Sequence, residues 1–221
     1  MIKPFCILII FLNLAASARA QLDDTGLWLD ASIQKSFTRK LDVSVMQQLR
    51  LSHDIAEVDA LISDAGIDYS ITKQLKAGLH YRFINSNKEN YYSKRHRMYF
   101  DLAWKQKAGI LSITLRERIQ QQFNDYHSSE TGKIPTWTLR TKLAVKADLD
   151  KNYFPYVSGE IFYLVDNAKE EDKLITNYRL ETGFEYKFNR MHSINPYALF
   201  NYTISPQFEE LIFGISYSIS I

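Results

Sequence analysis

Leu75-Lys76-Ala77-Gly78-Leu79-His80-Tyr81-Arg82-Phe83-Ile84-Asn85 decides the fold. Leu75, Ala77, Leu79, Tyr81 and Phe83 fall on one side of an extended chain and Lys76, Gly78, His80 and Arg82 on the other, because successive strand side chains point to opposite faces. One face suits hydrocarbon and the other suits water.

The same two-sided pattern recurs along the chain. Trp137, Leu139, Leu143, Val145, Ala147 and Leu149 oppose Thr138, Arg140, Lys142, Lys146 and Asp148. Tyr178, Leu180, Thr182, Phe184, Tyr186 and Phe188 oppose Asn177, Arg179, Glu181, Gly183, Glu185 and Lys187. Leu211, Phe213, Ile215, Tyr217, Ile219 and Ile221 oppose Gly214 and the serines 216, 218 and 220. The segments are long for soluble strands, and thirteen residues at a tilt near 40° rise about 30 Å, enough to cross an outer membrane. The pattern predicts strands at 26–37, 41–54, 59–72, 75–85, 95–108, 110–123, 136–149, 153–166, 174–188, 193–204 and 208–221. Short connections at Thr38–Lys40, Lys73–Gln74, Gly109, Asp150–Asn152 and Asn189–His192 alternate with longer ones at Ser86–Lys94, Asn124–Pro135 and Asn167–Lys173. The expected fold is all-β, an antiparallel up-and-down transmembrane barrel of about 10–12 strands in the cell outer membrane. Eleven segments leave the chain ends on opposite sides of the membrane, whereas single-chain bacterial barrels have even strand numbers. Ten or twelve strands are therefore expected, with residues 21–28 adding to the wall, one segment lying outside it, or one hairpin false. Trp28 falls on the polar face in this register, which makes the first strand the least regular.

The first twenty residues read as a signal peptide. Lys3 supplies the positive start, Phe5 to Leu14 the apolar stretch and Ala18-Arg19-Ala20 a small-residue cleavage site, leaving 21–221 as one barrel domain. The sole cysteine, Cys6, lies in that leader, so disulfides and thiolate chemistry are excluded from the remainder. Without Lys3 and Arg19, the 27 basic residues match the 25 acidic ones, and no nucleic-acid partner is implied. With Phe 13, Tyr 14 and Trp 3 against Gly 8 and Pro 5, the chain carries more aromatic area than a soluble core of this size buries easily. Trp104, Trp137, Tyr81, Phe83, Tyr186 and Phe188 sit where membrane girdles would be.

The candidate site is the inner face. Arg50, Arg82, Arg97, Arg116, Arg118, Arg140 and Arg179 project inward in this register, with Asp68, Asp101, Glu160, Glu181 and Glu185 as candidate partners. Arginine suits the setting because its planar fork pairs bidentately with carboxylates and stays charged. Such a set forms either an ion-paired, hydrogen-bonded filling or, functionally, a constricted polar pore or a site for an anionic solute. His53, His80, His96, His127 and His192 show no metal-ligand spacing, and nothing calls for a cofactor. His192-Ser193 offers the residue types, without the surrounding motif, of a barrel that hydrolyses lipids. The tyrosines of Asn87-Lys88-Glu89-Asn90-Tyr91-Tyr92 are placed to touch a partner or simply to be solvated.

Ser63-Asp64-Ala65-Gly66-Ile67-Asp68-Tyr69-Ser70, together with the Leu75–Phe83 strand, the opening Gly26-Leu27-Trp28-Leu29 and Leu115-Arg116-Glu117-Arg118, resembles the bacterial outer-membrane family catalogued as domain of unknown function 2490. The resemblance implies an outer-membrane barrel with no known activity, in contact with outer-membrane lipids. The alternating C-terminal strand ending on the apolar Ile221 resembles the signal read by the barrel-assembly machinery. Three functional classes follow: a narrow polar channel or structural component, porin-like, with a small solute as the channel's cargo; a lipid-acting barrel enzyme; and a soluble secreted or periplasmic barrel that binds a ligand inside. The first and third differ in which face points outward.

Overall fold

In the computed structural model, residues 22–88, 91–124, 135–165 and 175–221 are described. Residues 1–21, where the leader is expected, His127 and most of the two connections near 130 and 170 lie outside them. Eleven strands follow in chain order: β1 (Asp24–Ser36), β2 (Leu41–Ser52), β3 (Glu57–Ser70), β4 (Leu75–Lys88), β5 (Tyr91–Ala108), β6 (Leu111–Asn124), β7 (Thr136–Ala147), β8 (Tyr153–Leu164), β9 (Ile175–Lys187), β10 (His192–Thr203) and β11 (Phe208–Ser220). Each strand pairs antiparallel with its sequence neighbour, and the sheet closes on itself. The expected Ser86–Lys94 connection is mostly strand, since the β4–β5 ladder continues to the pair Lys88 and Tyr91.

The expectation of an even strand number is corrected. All eleven segments lie in the wall, and β1 closes the barrel by pairing in parallel with β11, from Asp24 opposite Glu210 to Gln34 opposite Ser220. An odd number of up-and-down strands leaves the first and last running in the same direction, and parallel pairing is then the way to satisfy their backbone groups. Parallel ladders are slightly weaker per residue than antiparallel ones. Inside this seam, Ser32 and Ser218 share a hydroxyl hydrogen bond of 2.9 Å, and Ser216 donates to Asp30 at 2.7 Å. At its lower end the Ile221 N–H reaches the Gln34 carbonyl at 2.8 Å.

Apolar side chains face outward. Leu79 is 63%, Leu180 57%, Leu143 51% and Ile67 51% exposed. A soluble ligand-binding barrel would show the reverse, since a continuous apolar exterior is costly in water. Tyr69, Trp104, Tyr186, Phe188 and Tyr217 ring the end carrying the short turns. Tyr178 and Tyr202 lie at the opposite end with centroids 6.5 Å apart. Short turns are periplasmic in outer-membrane barrels, so β11 ends on the periplasmic side. Glu117, in the middle of β6, places a carboxylate on this face and accepts from the Thr141 hydroxyl at 2.8 Å.

Packing inside is as specific as in a soluble core. Trp28 is 8% exposed and lies in the lumen with Leu199 and Ile212, so its place on the polar face is real and the first strand is regular. Ala60, Ile62 and Ile84 form a second apolar cluster on β3 and β4. Two rings occupy space that only glycine leaves open: a Cβ on Gly66 would lie 1.9 Å from His80 Nδ1, and one on Gly214 would lie 2.0 Å from Tyr197 Cζ.

Candidate functional site: the arginine-lined lumen

A chamber of about 570 Å³ occupies the lumen, bordered by residues from every strand except β3. Alternation along each strand brings its lining together: Arg50 from β2, Arg82 from β4, Arg97 from β5, Arg116 and Arg118 from β6, Arg140 and Lys142 from β7, and Arg179 from β9. The carboxylates bordering it are Asp30, Glu160 and Glu181. All seven arginines singled out in the sequence line this one space. Of the five acidic candidates, Glu160 and Glu181 line it, while Asp68, Asp101 and Glu185 lie around it.

The arginines divide into two sets by what holds them. In the first, carboxylates compensate the charge. Arg118 grips Asp101 with both Nε and Nη2 at 2.6 Å, and its guanidinium lies 3.8 Å from the Tyr99 ring centroid. Glu160, 7% exposed, accepts from Arg140 at 3.0 and 2.9 Å and from Arg116 at 2.5 Å. Arg82 donates to Asp64 at 2.7 Å. Planar fork-to-carboxylate contacts of this kind are the stronger class of hydrogen bond, and they fix side-chain orientation as well as charge.

In the second set, amide oxygens do the holding. Arg50 Nε donates to Gln48 Oε1 at 2.7 Å while its guanidinium stacks 3.8 Å from the Trp28 ring centroid. Arg97 donates to Gln122 Oε1 through Nε at 3.0 Å and Nη2 at 2.5 Å. Arg179 Nε donates to Asn201 Oδ1 at 2.9 Å, with its guanidinium 4.8 Å from the Phe162 centroid and 5.6 Å from the Trp28 centroid. Among the described residues none of these three closes an ion pair with a carboxylate. An amide oxygen orients a guanidinium but leaves its charge standing.

The remaining acidic candidates pair with lysines and histidine rather than with arginine. Asp68 sits 3.5 Å from both Lys76 Nζ and His80 Nε2. Glu181 accepts from Lys142 at 3.0 Å and from the Tyr156 hydroxyl at 2.7 Å. Glu185 pairs with Lys146 and, at 3.6 Å, with Lys187. The sequence reading missed Asp64, which receives Arg82 and the Tyr99 hydroxyl at 2.7 Å each. It also missed Asp30, which receives Gln48 at 2.5 Å. The signal was present, since Asp64 shares the inward parity of Asp68.

His80 is held between Asp64 and Asp68, 3.5 Å from each, and stacks on Tyr99 with centroids 4.8 Å apart. His192 and Ser193 are neighbours on β10 and point to opposite faces, so they cannot act together as base and nucleophile. His192 instead meets the Tyr217 hydroxyl at 2.7 Å on the exterior. Among the described residues no three His, Cys, Asp or Glu side chains gather in a way that could hold a metal ion. Tyr91 and Tyr92 are exposed, 57% and 65%, at the tip of the β4–β5 hairpin.

A closed barrel with an apolar belt and an ionic interior defines the class of integral outer-membrane β-barrels. Residues 25–210 match the family described as Protein of unknown function (DUF2490), and the chain belongs to that family. It resides in the outer membrane, in contact with its lipids. Among solved structures it is similar to the translocator domain of the autotransporter NalP from Neisseria meningitidis, at 11% identity and a TM-score of 0.40, over 75% of this chain and 70% of that one. No curated protein matches the chain.

Proposed function

We propose that this barrel is a narrow polar channel, with no catalytic role, whose ion-paired lumen admits small solutes. The observation that carries the reading is the chamber of about 570 Å³, walled by guanidinium groups. A barrel that served only as a membrane staple would be expected to fill that volume with side chains. The carboxylate-held arginines set the shape of the constriction, and rings of charge held at fixed positions are the usual basis of pore selectivity. Residues 1–20 direct export, and the barrel-assembly machinery inserts the domain, with its C-terminal strand presenting the alternating apolar face that such insertion requires. The test is purified protein in planar bilayers and in proteoliposomes. Discrete current steps, with uptake of small solutes into the vesicles, are expected. Absence of both, from protein whose gel migration still shifts on heating, would make this a plugged structural barrel.

A further inference from the structure

We infer that Arg50, Arg97 and Arg179 form a binding site for a multivalent oxyanion within the lumen, such as a phosphate-bearing or polycarboxylate solute. The inference deepens the channel reading and rests on the chamber's being filled with water. Three guanidinium groups border one chamber, and each is oriented by an amide oxygen of Gln48, Gln122 or Asn201 rather than neutralised by a carboxylate. A lumen built only for stability would pair them, as it pairs Arg118 with Asp101, because gathering like charges away from bulk water is costly. Here the cost is retained, and the groups are also stiffened. Arg50 stacks on Trp28, and Arg179 lies 4.8 Å from the Phe162 ring centroid and 5.6 Å from that of Trp28. Stacking covers the faces of a guanidinium and leaves its edge donors free.

Arg50 and Arg179 each spend one of five donors on their amide, so most of their N–H groups remain for a ligand. The planar fork matches two oxygens of one anionic group, and three such forks match a ligand with more than one charge. A halide or monocarboxylate would use only part of the set. Asp59 bears electrostatically on Arg50, and Glu160, Glu210 and Glu181 bear on Arg179; among the described residues none of them closes an ion pair with either group, so the guanidinium edges stay open to an incoming anion.

The test uses the full chain purified in detergent, titrated calorimetrically with inorganic pyrophosphate, citrate and acetate at low ionic strength. One pyrophosphate or citrate per barrel is expected, at least tenfold tighter than acetate. Arg50→Gln, Arg97→Gln and Arg179→Gln should each weaken that binding at least tenfold while heat-modifiable migration persists. Lys151→Gln, at an exposed periplasmic turn, should leave it unchanged. Equal affinity for acetate and both multivalent anions would overturn the site, as would unaltered binding in folded arginine variants. If a variant fails to fold, the comparison of anions on the unaltered chain still decides. Binding without conductance would keep the site and discard the channel, whereas conductance without binding would keep the channel and discard the site.

Discussion

Replacing Glu160 by Gln should destabilise the barrel by about 3 kcal/mol, whereas replacing Arg97 by Gln should leave its stability unchanged or raise it by up to about 1 kcal/mol. Glu160 receives three N–H donors from two guanidinium groups and is nearly sealed from water. Charge-assisted hydrogen bonds contribute about 1.5–3 kcal/mol each, and breaking a buried pair by removing one partner costs about 3–5 kcal/mol. Arg116 borders the chamber and can turn toward water, so the lower part of that range applies. The side-chain amide introduced by the substitution would also aim N–H groups at donors. Arg97 has no carboxylate partner among the described residues, so its removal breaks neutral-acceptor contacts only and relieves repulsion from neighbouring guanidinium groups. The assay is urea unfolding of refolded barrel in lipid, followed by the loss of heat-modifiable migration; guanidinium chloride would screen the charges at issue. Adding Arg140→Gln to Glu160→Gln should return part of the loss, since one uncompensated charge is then gone. Losses of similar size for Glu160→Gln and Arg97→Gln would refute the division of the lumen into compensated and uncompensated arginines.

The parallel closure is open to cross-linking: Ser32→Cys with Ser218→Cys, whose hydroxyls are 2.9 Å apart, should oxidise to a disulfide joining β1 to β11. Two fragments held together until reduction, after a single cut at an outer loop, would demonstrate it, and free thiols in the folded barrel would contradict that seam. Gly66→Val should push the His80 ring from its place between Asp64 and Asp68, costing about 1–3 kcal/mol as overpacked sites do, with a lowered urea midpoint as the readout. Glu117→Leu, midway along β6 on the lipid face, should instead stabilise the barrel by about 1 kcal/mol in lipid, because a carboxylate in that belt is unfavourable even with Thr141 beside it. An unchanged midpoint would mean that Glu117 meets water or another polar surface in the membrane.

Strand positions were legible because the barrel uses each strand twice, and a period of two survives without knowledge of partners. Leu79 and His80 need only point apart for the pattern to register. What alternation cannot convey is which inward side chains meet, since that depends on register between strands and on reach across the lumen. Arg82 reaches Asp64 on the adjacent β3, whereas Lys142 reaches past β8 to Glu181 on β9. Pairing Asp68 with an arginine from parity alone therefore had no physical basis, and Lys76 and His80 hold it instead. The strand count failed for a different reason. The even-number rule describes barrels closed by antiparallel ends, and no single strand's sequence reports the direction of the strand that will close against it.

The seam also explains why Trp28 stands on the polar side of an otherwise regular strand. Pairing with β11 sets Trp28 opposite Gly214, and pairing with β2 sets it opposite Arg50. A slip of one residue at either seam would turn Trp28 into lipid and bring Leu27 and Leu29 into the lumen. The indole must therefore be worth more inside, although an outer-membrane barrel readily places tryptophan at its girdles. Its ring face lies against the Arg50 guanidinium, a contact that offsets part of the cost of keeping that charge without a counter-ion. Parallel closure, the inward tryptophan and the uncompensated arginine thus meet in one arrangement: the odd strand number makes β1 and β11 parallel, the register of β1 with its two neighbours sets the indole beside Gly214 and Arg50, and the indole steadies a cation whose donors still face open space.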